Sequence, residues 1–210
     1  IVEVKNELQK FVKITAKMNT FTQQLILETD RKKINKLLQK LEQYEEITDR
    51  IENEVSEFLS KVNDSDLSSK SSEEIRSILT IISELENIGD VYYSISKNLE
   101  RKIENKLYFI PSQRNNLLKM ISIVEKLFST LDDIMNNMSN KNEKLIENSY
   151  LLENELNKLH YKLKKEHLKS IEKKEYKIKS GILYADLLAS LEMVGNHITE
   201  ITDNIADTLS

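Results

Sequence analysis

The sequence of 210 residues contains no cysteine, no tryptophan, one proline and three glycines. Without cysteine there is no disulfide scaffold, no thiolate-ligated zinc or iron–sulfur site and no cysteine nucleophile. Glycine and proline are what turns and strand ends need most, so a β-rich or α/β fold of this length is excluded. With aromatics at 6% and no tryptophan, a base-stacking platform is not expected. The net charge of −4 argues against a nucleic-acid binder that works by phosphate neutralisation. No run of eighteen uninterrupted apolar residues occurs, so no membrane span is expected in this stretch. The chain opens on Ile1-Val2-Glu3-Val4, already helix-like, and reads as a piece of a longer protein.

What is present is helical periodicity almost throughout. Six long helices are expected, with no sheet. The first runs from about Val2 to Leu27. The second opens at an Asp30 cap and carries Ile34, Leu37, Leu38, Leu41, Ile47 and Ile51. Asn63 to Lys70 reads as a loop. Ser71 with Glu74 forms a capping-box pattern that opens the third helix, with Ile78, Ile82, Leu85, Ile88, Tyr92, Ile95 and Leu99 in its stripe. Pro111-Ser112 then breaks the chain and starts a fourth helix, from about Gln113 to Met138. Asn136 to Asn142 is polar and reads as a turn. The fifth helix spans about Glu143 to Ile171 and the sixth about Lys174 to Leu209.

Three helices, a proline near the midpoint and three more helices suggest an internal repeat. With Glu86 over Glu192, Glu86-Asn87-Ile88-Gly89-Asp90 lies on Glu192-Met193-Val194-Gly195-Asn196. Two of the three glycines then share one internal position. The expected architecture is two tandem three-helix units, residues 1–107 and 108–210, joined in one domain. A glycine inside a helix costs about 1 kcal/mol relative to alanine, so its repeated use suggests close packing or a ligand.

Glu86 and Asp90 are four apart and share a helix face, on the stripe of Ile78 and Ile82. Glu45 and Asp49 repeat the device on the stripe of Leu41. Packed side by side, these helices would bring four carboxylates together at a partly buried edge. Mutual repulsion and lost hydration make such a cluster costly, and a multivalent cation with oxygen ligands relieves both. Magnesium, manganese or iron suits that shell. Acids are abundant here, and a solvated acidic face is the plain alternative. In the second half Glu192 is kept, but Asn196 replaces Asp90. The best apolar alignment of the fifth helix puts Ile146 on Leu41, Tyr150 on Glu45 and Asn154 on Asp49, which dilutes a second cluster to a weak candidate carried by Glu192. Glu153 and Glu155 could compensate only in another register. His160, His167 and His197 form no metal-binding pair of the diiron type. The lysine-rich run from Lys162 to Lys174 could touch phosphate or anionic lipid, although a solvated helix end is the commoner explanation.

In order and spacing, these features resemble the PhoU family: tandem three-helix units, Glu-x-x-x-Asp in the second helix and Glu-x-Ile-Gly-Asp in the third. The opening around Glu3-Val4-Lys5-Asn6-Glu7-Leu8 is more similar to the PhoU-like C-terminal tail of a bacterial sodium/phosphate cotransporter than to a free-standing PhoU. The resemblance implies a non-enzymatic regulator of phosphate homeostasis that binds a metal cluster through Glu45, Asp49, Glu86 and Asp90. It implies a cytoplasmic location, tethered to the inner face of the membrane through an upstream transporter domain. The expected partner is that transporter, and a homodimer is compatible with the same reading. The alternatives are a metal-free helical adaptor for a protein partner and, behind it, a metallo-enzyme whose cluster activates water.

Overall fold

A computed structural model describes residues 2–61, 68–137 and 142–208. The described residues form six helices and no strand: α1 (Val2–Leu27), α2 (Arg31–Ser60), α3 (Ser69–Glu104), α4 (Pro111–Asn136), α5 (Glu143–Glu172) and α6 (Ile178–Thr208). Most of the expected Asn63–Lys70 loop and of the Asn136–Asn142 turn lies outside the described residues.

The helix ends follow local chemistry. Asp30 accepts from the Lys33 N–H at 2.9 Å and caps α2. Ser68, not Ser71, caps α3, accepting from the Ser71 N–H at 3.1 Å. Pro111 occupies the first position of α4, where its missing N–H costs nothing. The scarcity of glycine shows at the other ends. Helices α3 and α5 stop in paired backbone bonds, Leu107 N–H to Lys102 O and Lys106 N–H to Ile103 O, then Glu175 N–H to Ser170 O and Lys174 N–H to Ile171 O. This Schellman closure needs a left-handed residue, normally glycine. Here Lys106 (φ 51°) and Lys174 (φ 56°) take that conformation instead.

Helices α1, α2 and α3 pack on one another, as do α4, α5 and α6. The two units meet mainly through α1 on α4 and α3 on α6, so the main contacts between units join a helix to its own counterpart. The buried positions repeat with it. The eight residues of α1 described as buried, from Leu8 to Leu25, fall on buried residues of α4, 109 positions on, Leu117 to Ile134. In α3 and α6, 106 positions apart, Ile82, Leu85, Ile88, Tyr92, Ile95 and Leu99 fall on Leu188, Leu191, Val194, Ile198, Ile201 and Ile205, all buried. Each such leucine or isoleucine contributes about 1.5–3 kcal/mol by leaving water. The core is thus one continuous seam through both units.

Several of the polar groups in that seam are hydrogen-bonded. Tyr92 donates to Asn19 Oδ1 at 2.9 Å, and Asn19 Nδ2 donates to the Ile121 carbonyl at 3.2 Å. Ser149 and Thr202 share a bond of 3.2 Å between α5 and α6. At the α3–α6 contact His197 Nδ1 meets Glu84 Oε2 at 2.6 Å.

Candidate functional site

The site is built on the approach of α2 to α3. Gly89 has no side chain, and the fully buried Thr48 occupies the space: a Cβ on Gly89 would stand 2.5 Å from Thr48 Oγ1. Thr48 is itself held, donating to the Glu45 carbonyl at 2.7 Å. The glycine therefore serves close backbone approach, and it lets the acids on the adjoining turns of both helices converge.

Glu45, Asp49 and Asp90 each offer one carboxylate oxygen to a group whose members all lie within 4.8 Å of one another. Glu45 and Asp49 are half-buried and Asp90 is exposed. Glu86 stands outside this triad but against it, sharing a hydrogen bond with Asp90. The carboxyl of Glu86 is pushed up to about 7, first by burial, then by the charges of Asp90, Glu52 and Asp49. Burial, followed by Asp49 and Asp90, also raises Glu45 above its ordinary value. One oxygen of Asp49 is buried with no hydrogen-bond donor. An all-oxygen donor set, crowded anions and an unpartnered buried carboxylate oxygen fit a hard or borderline cation.

In the second unit Gly195 packs on Leu156 of α5, and a Cβ there would run into Leu156 Cδ2. Since Gly89 packs on Thr48, Leu156 is the counterpart of Thr48, 108 positions on. Buried residues agree: Leu41, Thr48 and Leu59 fall on buried Ser149, Leu156 and His167. The register expected from the apolar pattern is therefore displaced by three residues. Tyr150 and Asn154 do not stand where Glu45 and Asp49 stand. Tyr150 instead donates to Asp203 at 2.5 Å, and that bond, with burial behind it, pushes its hydroxyl up to about 12. The true counterparts are Glu153 for Glu45, Asn157 for Asp49 and His160 for Glu52. Glu153 accepts from Asn157 Nδ2 at 2.8 Å, while Asn157 Oδ1 is buried without a partner. Burial lowers the His160 pKa, and the charge of Glu192 opposes that. The second face keeps two carboxylates, Glu153 and Glu192, and exchanges the rest for Asn157, His160 and Asn196.

The family profile of the PhoU domain matches this chain twice, over residues 8–99 and residues 117–205. The chain belongs to the PhoU family. The two PhoU matches coincide with the two helical units, and the first contains Glu45, Asp49, Glu86 and Asp90. No curated protein matches the chain by sequence. Among solved structures it is similar to PhoU from Pseudomonas aeruginosa, with a TM-score of 0.83 at 16% identity over 98% of this chain and 95% of that one. It is also similar to the phosphate transport system regulatory protein PhoU from Streptococcus pneumoniae, with a TM-score of 0.76 at 16% identity over 98% and 93%. A PhoU-like protein from Shewanella oneidensis MR-1 gives 0.69 at 12% identity, covering 98% of each chain. At these identities the likeness speaks for the PhoU fold alone. Among the described residues, no helix is long and apolar enough to cross a membrane.

Proposed function

We propose that this PhoU domain is a non-enzymatic regulator of phosphate transport whose first unit holds a metal ion or cluster. Glu45, Asp49 and Asp90 would be the principal ligands, with Glu86 beside them. The observation that carries the reading is the convergence of three carboxylates from two helices at the Gly89–Thr48 approach. A bound iron, manganese or magnesium ion would neutralise the crowded anions and tie α2 to α3, so metal occupancy would stiffen one face of the bundle. Family membership and the regulatory role named for the S. pneumoniae neighbour support phosphate control as the output. The transporter-tail reading of the opening residues makes the partner the membrane part of a phosphate transporter, on its cytoplasmic side.

The second unit would contribute less. Glu153 and Glu192 keep two charges, and the amides and His160 make any cation site there weaker. Elemental analysis of the purified protein tests this directly. Glu86→Gln with Asp90→Asn should abolish bound metal, whereas Glu192→Gln should change it little. Equal loss from both would refute the asymmetry. Phosphate uptake by cells carrying the full protein, with and without Glu86→Gln/Asp90→Asn, tests the regulatory output. Unchanged uptake under phosphate-rich conditions would refute it.

A metal-free adaptor is the second reading. An apolar hollow of about 210 Å³ between α1, α2 and α3, with exposed Phe58 at its edge, favours it. Complete absence of bound metal, with no thermal response to added Mn²⁺, Fe²⁺ or Mg²⁺, would leave that reading in place.

A further inference from the structure

Five large apolar side chains of α5 and α6 stand in solvent: Tyr161 (71% exposed), Leu168 (56%), Ile178 (67%), Ile182 (55%) and Met193 (47%). They share one face of the helix pair. Tyr150 bonds to Asp203 across the two helices, so the flank of α5 that bears Tyr150 adjoins the flank of α6 that bears Asp203. Tyr161 and Leu168 stand 11 and 18 residues beyond Tyr150, about three and five whole turns, and so lie on that same flank. Ile178 stands 25 residues before Asp203, about seven turns. Ile182 and Met193, 4 and 15 residues further on, keep to its stripe within about 60°. Gly181 faces Ile171 and His167, which sets Leu168 level with Ile182.

The internal repeat supplies a control for this face. With 108 positions between α2 and α5, and 106 between α3 and α6, the five residues fall on Asn53, Ser60, Ser72, Arg76 and Asn87. Both units bury the same seam, so the fold itself requires nothing apolar at these places. Single exposed hydrophobic residues are ordinary, but five on one face that is polar in its own twin mark an interaction surface. The charge changes with the polarity. From Lys162 to Asp186 the chain carries eight lysines against four acids, whereas the corresponding stretch from Glu54 to Thr80 carries three basic residues against six acids. All eight lysines are exposed, and Lys164, Lys165 and Lys179 stand within a turn of Leu168 or Ile178.

We propose that this face of the second unit docks on an anionic membrane surface. The apolar stripe extends about 22 Å along α6 from Ile178 to Met193, and the lysines stand among and beside the apolar residues. Lysine stems can lie along apolar surface while their ammonium groups reach anionic headgroups, and Tyr161 is of the amphipathic kind that settles at a lipid–water boundary. Apolar side chains inserted at the headgroup level and a basic surround are the two contributions that together hold a helix surface on a bilayer. A second copy of this chain would set one excess of lysines against another, so charge complementarity favours the anionic surface. The inference goes beyond the metal reading and does not rest on it: Glu86→Gln with Asp90→Asn should leave docking intact.

The experiment is flotation of the purified protein with vesicles of phosphatidylglycerol and phosphatidylcholine, or of phosphatidylcholine alone, at low and at raised salt. Leu168→Ser with Ile178→Ser installs the residues that the first unit carries at two exposed positions. It should weaken binding to the anionic vesicles at least about tenfold. Lys164→Gln, Lys165→Gln and Lys179→Gln together should weaken it at least about tenfold as well, with a flatter salt dependence. Flotation with the anionic vesicles only, reduced by both variants, supports the proposal. Binding reduced by the lysine variant but untouched by Leu168→Ser with Ile178→Ser is charge attraction without docking of the face, and overturns it. No binding to either vesicle also overturns it. Sedimentation would then show whether a second copy covers the face, through self-association that Leu168→Ser with Ile178→Ser abolishes.

Discussion

Replacing Gly89 with alanine should destabilise the protein, while the same change at Gly195 should not, although the two glycines share one internal position. The new Cβ at residue 89 would lie 2.5 Å from Thr48 Oγ1, 3.1 Å from its Cβ and 3.2 Å from its Cγ2. Ordinary contact is about 3.5 Å or more, so the first of these is short by nearly 1 Å. Thr48 cannot yield easily: it is β-branched, fully buried and bonded to the Glu45 carbonyl. The helices must separate, at an overpacking cost of about 1–3 kcal/mol. Alanine recovers about 1 kcal/mol of helix propensity. The net loss should be about 1 kcal/mol, a fall of roughly 2–4 °C in Tm for a domain of this size. At Gly195 the obstacle is the tip of Leu156, a rotatable methyl, and the next atom, Leu127 Cδ1, is at 3.7 Å. Gly195→Ala should be neutral to within about 0.5 kcal/mol, the propensity gain offsetting the repacking. The decisive measurement is a double-mutant cycle by urea unfolding. Thr48→Ala removes Oγ1 and Cγ2 and leaves only the Cβ at 3.1 Å, so adding Gly89→Ala to it should cost little, a coupling of about 1 kcal/mol. The close-approach argument is wrong if Gly89→Ala is as harmless as Gly195→Ala. It is equally wrong if Gly89→Ala costs as much in the Thr48→Ala background as in the wild type.

Other expectations concern charge, metal and backbone. Because the carboxyl of Glu86 is raised from an ordinary 4.5 to about 7, the folded metal-free protein holds that proton to higher pH than the unfolded chain does. Its contribution is present below about pH 4.5 and lost as pH rises through about 7. The Tm of the chelated protein should therefore fall between pH 5 and pH 7.5, and Glu86→Gln should flatten that fall; an equal slope in the variant would refute the assignment. Chelation of metal-loaded protein at pH 7.5 should lower Tm, by the equivalent of about 2.7 kcal/mol from a hundredfold excess of metal over its dissociation constant. The quadruple amide variant of Glu45, Asp49, Glu86 and Asp90 should lose that response and be no less stable than chelated wild type, as differential scanning calorimetry would read. Lys106→Gly should stabilise by about 0.5–1 kcal/mol, since glycine takes a left-handed backbone without a Cβ penalty. A lower denaturation midpoint in that variant would refute the account of how α3 ends.

The helices were legible because their stripes are strong and their breaks are chemical. Asp30 and Pro111 mark the starts of α2 and α4, and the column from Ile82 to Leu99 is as apolar in α3 as its counterpart is in α6. The pairing of Glu45 and Asp49 with Asp90 was legible for the same reason, since each acid extends a stripe that must face the neighbouring helix. The register of α5 was hidden. An eye for apolar residues sets Ile146 on Leu41, but the residue in that place is Ser149, buried because Thr202 shares its hydroxyl bond. His167 likewise takes the place of Leu59. Where a seam is carried by satisfied polar groups, periodicity of hydrophobicity points to the wrong face. Glu153 was named only for another register, and Asn157 and His160 were missed on that account. The one signal that could have found them was the glycine: opposite Gly89 and Gly195 the partner helix must present equivalent residues, which ties Leu156 to Thr48.

The contacts of α1 with α4 and of α3 with α6 have a further meaning. They are what a two-fold homodimer of three-helix units would use, except that here both partners are one molecule. In a true dimer every substitution appears twice, and a bridge that crosses the axis must have a twin. The bond between His197 and Glu84 has none: the positions that would complete it are Val91 and Ser190. Likewise Asn19 and Tyr92 make a polar link whose mirror images, Phe128 and Ile198, are apolar. Covalent joining releases each side from copying the other. One side can keep a crowded set of anions while its twin trades them for amides and an imidazole, and the shared seam tolerates both.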